Sequence, residues 1–139
     1  MKKRVLFLCT GNSCRSQMAE GLVNQTLGDE WKAYSAGTNP AGFVHPLALQ
    51  VMSELDIDIS RQRSKSAAEF REKDFDRVVT VCDDAAETCP VWLGRGRQVH
   101  IGFEDPAKAT GSEADRLTVF RRVRDEIRQK ITDYLVIDD

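Results

Sequence analysis

Val5-Leu6-Phe7-Leu8 is apolar without a break, and by Ser16 a helical pattern has begun. An uninterrupted apolar run of this length marks a strand buried on both faces, the kind found in parallel sheets rather than in half-exposed antiparallel ones. Helix and strand patterns then alternate along the chain. Ser16 to Leu27 reads as helix, with Met18, Ala19, Leu22 and Val23 on one face and Gly28 as its stop. Trp31 to Ser35 reads as a second strand ended by Gly37, and His45 to Leu55 as a helix with Leu47, Val51, Met52 and Leu55 together. Ser66 to Glu72 is a weaker helix. Asp76 to Val81 carries another buried strand, Val78-Val79-Thr80-Val81, and Gln98 to Ile101 is a possible fourth. A long closing helix repeats Leu117, Phe120, Val123, Ile127, Ile131 and Leu135 at steps of three and four. Strands alternating with helices predict an α/β fold, a doubly wound four-stranded parallel sheet flanked by helices. Ligands of such sheets sit beyond the carboxyl ends of the strands.

At 139 residues the chain has the length of one domain, and no repeat or linker divides residues 1–139. A domain of this size buries roughly two-thirds of its unfolded surface, so it needs no disulfide staple. Its 4 cysteines, Cys9, Cys14, Cys82 and Cys89, therefore call for a chemical explanation. The amino terminus lacks an apolar run long enough for a signal peptide, and no stretch approaches the ~20 apolar residues of a membrane span. A cytoplasmic chain without a membrane partner is expected, with thiols kept reduced, which points to metal ligation or reactive thiols. Zinc fits poorly: the spacings C-x4-C and C-x6-C do not make paired ligand sets, and His45 and His100 stand alone. A net charge of −2 does not advertise nucleic-acid binding.

The first strand runs into Cys9-Thr10-Gly11-Asn12-Ser13-Cys14-Arg15-Ser16, directly before the first helix. A tight loop entering a helix turns successive backbone N–H groups inward and cradles a tetrahedral oxyanion. Thr10, Gly11, Asn12, Ser13, Cys14 and Arg15 would bind it. Gly11 and Asn12 tolerate the left-handed backbone such a loop needs, and Arg15 can grip two oxygens at once. Helix terminus, N–H groups, guanidinium and the Ser16 hydroxyl all favour a thiolate at Cys9, making it an activated nucleophile. The competing reading is a buried strand-end thiol beside an exposed arginine. Spacing alone does not decide, because Cys89 to Arg95 repeats it. That copy fails physically: Pro90 removes a donor, Val91, Trp92 and Leu93 resist a compact loop, and Gly96 replaces the hydroxyl.

Cys9 to Gly21, with Tyr34-Ser35-Ala36-Gly37, Asp56 to Ser60, the Cys82 and Cys89 pair, Asp105-Pro106 and Arg122 to Ile127, resembles the low-molecular-weight tyrosine phosphatase superfamily. Within it the likeness is to the thioredoxin-coupled arsenate reductases, and it covers nearly the whole chain. The resemblance implies reduction of arsenate to arsenite. Cys9 would attack arsenic, Asp105 would protonate the leaving oxygen, and Cys82 would attack the Cys9 sulfur to release arsenite. Cys89 would then attack Cys82, and reduced thioredoxin would reset the Cys82–Cys89 disulfide. No flavin or nicotinamide motif supplies another electron source, so no bound cofactor is expected, and the protein is expected to be a monomer. If residues 83–88 were helical, the Cα atoms of Cys82 and Cys89 would stand ~10 Å apart, beyond the roughly 4.4–6.8 Å of a disulfide. That segment would have to bend during the cycle.

Several alternatives stay open. Cys82 and Cys89 could be buried neighbours, and Asp105-Pro106 could be only a turn. Cys14 reads as structural, or as an off-path redox thiol. The phosphatase branch usually has Pro where Gln17 stands and an aromatic residue where Ala107 stands, which weakens a phosphotyrosine substrate. Weak hydrolysis of small aryl phosphates is still expected. Some relatives hold potassium through residues matching Asn12, Glu20 and Ser35 plus a carboxylate; Lys65 aligns with that last place. Its ammonium could fill the site and pair with Glu20, or it could be an ordinary solvated lysine. A non-catalytic oxyanion or arsenical-binding module is the remaining class.

Overall fold

A computed structural model describes residues 2–83, 92 and 94–137. Four parallel strands lie in the order β2-β1-β3-β4: β1 Lys3–Cys9, β2 Trp31–Gly37, β3 Arg77–Thr80 and β4 Arg97–His100. The helices are α1 Arg15–Thr26, α2 Pro46–Ser53 and α3 Glu113–Ile137, with 3-10 turns at Ala67–Phe70 and Pro106–Lys108. The expected order of elements is all present, and the differences lie at the ends. β1 begins at Lys3 because its ladder with β2 pairs Lys3 with Trp31 and continues to Cys9 with Gly37. Charged Lys3 and Arg4 join through their backbones, which an apolar run cannot signal. Residues 66–72 make one 3-10 turn rather than a helix, with the Ser66 hydroxyl accepting the Ala68 N–H. α3 starts ahead of its first apolar contact at Leu117, since Ser112 and Asp115 exchange side-chain and backbone bonds across its first turn.

The sheet separates two cores. Val5, Phe7 and Val79 pack with Met18, Leu22, Met52, Phe120 and Ile127 from all three α-helices. Leu6, Leu8 and Val78, on the alternate face, meet Phe70, Phe75 and Trp92. Arg124 ties α3 to α2, donating to the Val51 carbonyl at 2.8 Å and to Glu54 at 2.9 Å. Among the described residues no helix is long and apolar enough to cross a membrane.

Candidate active site

The loop between β1 and α1 hangs from its carbonyls. Cys9 O accepts the Thr38 N–H at 3.3 Å, Thr10 O that of Asn39 at 2.9 Å, Gly11 O that of Ala41 at 2.9 Å, and Ser13 O that of His45 at 3.0 Å. Asn12 O accepts Gln17 Nε2 at 3.1 Å, and Cys14 O accepts the Met18 N–H at 2.8 Å. Each carbonyl from residue 9 to 14 is thus engaged outside the loop. No peptide bond among the described residues is cis, so the N–H groups of residues 10–15 point the opposite way. They face a cavity of about 290 Å³ lined by residues 9–15 with Asp105 and Lys108. Asn12 takes the left-handed backbone the turn requires, φ +49°. The first turn of α1 has no side-chain cap and no acidic residue, so neither offsets the positive end that the helix turns toward the cavity.

Cys9 sits at the cavity floor, 1% exposed, as a free thiol. The Asn12 N–H donates to its sulfur at 3.1 Å, and Ser16 Oγ lies 2.9 Å from it. Ser16 Oγ in turn accepts Asn12 Nδ2 at 2.7 Å. With that donor on the oxygen, the hydroxyl proton is free to point at sulfur. Arg15 is buried; it donates to the Phe103 carbonyl at 3.2 Å and stands 3.7 Å from Asp105. Asp105 keeps one oxygen on the Ala107 N–H at 3.0 Å, capping the second 3-10 turn, while its side chain borders the cavity. Asp105 therefore caps a turn and borders the cavity at once.

Cys14 is a free, buried thiol pushed up to about 12, chiefly by desolvation. Cys82 is fully buried just past β3 and is disulfide-bonded. The β1–β3 ladder runs on to a Val81 N–H bond to Leu8 O, so Cys9 and Cys82 leave adjoining strands at the same end. Cys89 and the helical alternative for residues 83–88 fall outside the described residues, except for Asp83.

Lys65 is no solvated lysine. Its ammonium lies 2.9 Å from Arg63 O, 3.5 Å from Ser35 Oγ and 3.6 Å from Glu20, and Ser35 donates to Glu20 at 2.6 Å. Burial lowers Lys65 and raises Glu20, each offset in part by the other's charge. The Lys65 N–H also holds Asn12 Oδ1 at 2.9 Å. Among the described residues no group of three or more His, Cys, Asp or Glu could hold a metal. Lys108 and the Phe103 carbonyl are site groups the sequence did not single out. Lys108 follows Asp-Pro closely enough to have been a signal, whereas Phe103 acts through its backbone and left none.

Residues 4–137 match the family model described as low molecular weight phosphotyrosine protein phosphatase. The chain is 52% identical over 130 residues to an arsenate reductase of Halalkalibacterium halodurans, covering 94% of this chain and 93% of that protein. A solved structure described as an arsenate reductase in oxidized state is 31% identical, with a TM-score of 0.80 over 99% of both chains. A thioredoxin-dependent arsenate reductase of Corynebacterium glutamicum is 25% identical, with a TM-score of 0.67 over 97% of this chain and 63% of that one.

Proposed function

The chain belongs to the low-molecular-weight phosphotyrosine protein phosphatase family, and from that premise we propose that it is an oxidoreductase that reduces arsenate to arsenite. The observation that carries the proposal is a free Cys9 thiol in an oxyanion cradle with a disulfide-bonded Cys82 at the end of the neighbouring strand. A phosphatase needs the first of these and has no use for the second.

Arsenate enters the cradle, its oxygens on the loop N–H groups and the Arg15 guanidinium. The Cys9 thiolate forms a sulfur–arsenic bond, and one oxygen leaves as water after taking a proton from Asp105. Arsenic is still pentavalent at this point. Cys82 attacks the Cys9 sulfur, the sulfur–arsenic bond breaks, and its electron pair stays on arsenic, which departs as arsenite. The enzyme has lost two electrons and holds a Cys9–Cys82 disulfide. Cys89 attacks Cys82, freeing Cys9 and leaving Cys82–Cys89. A dithiol protein of the thioredoxin class reduces that disulfide by exchange, consistent with the thioredoxin-dependent relative.

The test couples the protein to thioredoxin and thioredoxin reductase and follows NADPH consumption on adding arsenate. Cys82→Ser and Cys89→Ser should each abolish steady turnover while hydrolysis of a small aryl phosphate persists. Arsenate-independent phosphatase activity with no NADPH consumption would overturn the reductase in favour of a phosphatase. Neither activity would leave an oxyanion-binding module.

A further inference from the structure

We propose that Gln17 is a positioning residue that holds Asn12 in place and, through Asn12 and Ser16, sets the reactivity of Cys9. The proposal rests on the reading of Cys9 as the nucleophile. Gln17 is fully buried, next to Ser16 in the chain. Its amide nitrogen faces three oxygens: Arg63 O at 2.8 Å, Asn12 Oδ1 at 3.0 Å and Asn12 O at 3.1 Å. Its amide oxygen accepts Gln62 Nε2 at 2.8 Å, and Gln62 Nε2 also reaches the Gln17 carbonyl at 3.0 Å. Only one way round satisfies this set. The Gln62 donor requires oxygen on its side, and the three acceptors require nitrogen on the other.

The consequence lies in what Asn12 does. Gln17 grips both the carbonyl and the side-chain oxygen of a residue whose backbone is left-handed. The carbonyl bond keeps the Asn12–Ser13 peptide turned so that the Ser13 N–H faces the cavity. The side-chain bond keeps Oδ1 away from Ser16, so that Nδ2 donates there. Lys65 supplies the other donor to Oδ1, and Gln17 also binds that segment through Arg63 O. Removing Gln17 loses the bond to the Asn12 carbonyl and one of the two donors to Oδ1, leaving the Lys65 N–H alone to orient the amide. A reversed Asn12 amide would present an oxygen to Ser16, and the hydroxyl would turn its proton to Asn12 rather than to sulfur. A buried amide used only for packing would leave Cys9 unaffected.

The experiment uses the fully reduced full-length protein and measures iodoacetamide alkylation of each cysteine by peptide mass spectrometry across a pH series. Gln17→Met keeps the volume and removes the bonds. It should slow Cys9 alkylation near neutrality about tenfold, since the sulfur loses the hydroxyl's hydrogen bond. Protection of Cys9 by inorganic phosphate should weaken several-fold. A cooperatively melting Gln17→Met protein with an unchanged Cys9 profile would overturn the proposal. If Gln17→Met does not melt cooperatively, Gln62→Leu decides: it frees the Gln17 amide from outside and should shift the profile the same way, about threefold in rate, and no shift overturns the proposal. Alkylation needs no arsenate, so a shifted profile in a protein that consumes no NADPH would refute the reductase reading and leave this one standing.

Discussion

Ser16 Oγ stands 2.9 Å from Cys9 Sγ and 2.7 Å from Asn12 Nδ2. The hydroxyl is placed to pass on a donor: it receives one N–H and can turn its own proton to the Cys9 sulfur, which the Asn12 backbone N–H already contacts. A hydrogen bond to a charged acceptor contributes about 1.5–3 kcal/mol. Ser16→Ala should therefore slow Cys9 alkylation and the first arsenate step at neutral pH by about ten- to hundredfold. Phosphate affinity should change by less than about threefold, because the cradle N–H groups remain. An alkylation rate equal to that of the unaltered protein would count against a role for this hydroxyl.

Asp105 holds the Ala107 N–H and lies 3.7 Å from Arg15. Asp105→Asn keeps the cap, since an amide oxygen accepts the same bond, and removes the proposed proton donor. Turnover with arsenate should fall about 10²–10⁴-fold, while Cys9 alkylation should change by less than about twofold, as no bond to sulfur is lost. If Asp105 were only a turn residue, the asparagine variant would turn over normally. Rapid-mix quantification of the first arsenite released separates the chemical step from the proposed thioredoxin reset.

The local chemistry of the site was legible in the sequence and the long-range part was not. The tight turn after Cys9 could be read from its own residues: Asn12 takes the left-handed backbone expected there, whereas Gly11 does not, and the partners of Arg15, Phe103 and Asp105, lie far along the chain. Gln17 was visible only as a departure from proline, since its use depends on Arg63, 46 residues further along. Gly37 read as the end of a strand. Its larger role is close approach: a Cβ there would collide with Thr10 O and come within 3.1 Å of the Asn12 N, so the loop can settle on β2 only without a side chain. β1 was plain from burial on both faces. β4 carried a weak signal because three of its four residues, Arg97, Gln98 and His100, are exposed, and such an edge shows little apolar pattern.

Glu54 receives Arg121 through three bonds of 2.8–3.0 Å and Arg124 at 2.9 Å. The hydrogen bonds from Arg121, then Arg124, hold its carboxyl below the ordinary 4.5. On acidification the unfolded chain takes up this proton before the folded one. The stabilisation is therefore present above about pH 4.5 and is lost as pH falls through the folded value. Thermal midpoints of the unaltered protein and Glu54→Gln, compared from about pH 6 down to about pH 3, should differ at the upper end and converge in acid. A constant difference across that range would show that Glu54 acts through something other than its charge.

Lys65 and Glu20 are a mostly covered pair, 9% and 14% exposed, bridged by Ser35. Their carboxylate, hydroxyl and carbonyl oxygens form a set that a potassium ion could share, and the ammonium already occupies its centre at 2.9–3.6 Å. Exchanging sodium for potassium at equal ionic strength should thus change arsenate turnover by less than about twofold, since the resident charge needs no replacement. Lys65→Ala leaves Glu20 buried without its counter-charge and should cost about 3 kcal/mol, the lower end for a broken buried pair because Glu20 keeps some access to water. It also vacates the oxygens, so the variant, unlike the unaltered protein, should gain thermal stability and rate when potassium replaces sodium. A large potassium activation of the unaltered protein would mean that the ammonium does not fill the cation's place. A Lys65→Ala variant as stable as its parent would mean that the pair contributes no net stability.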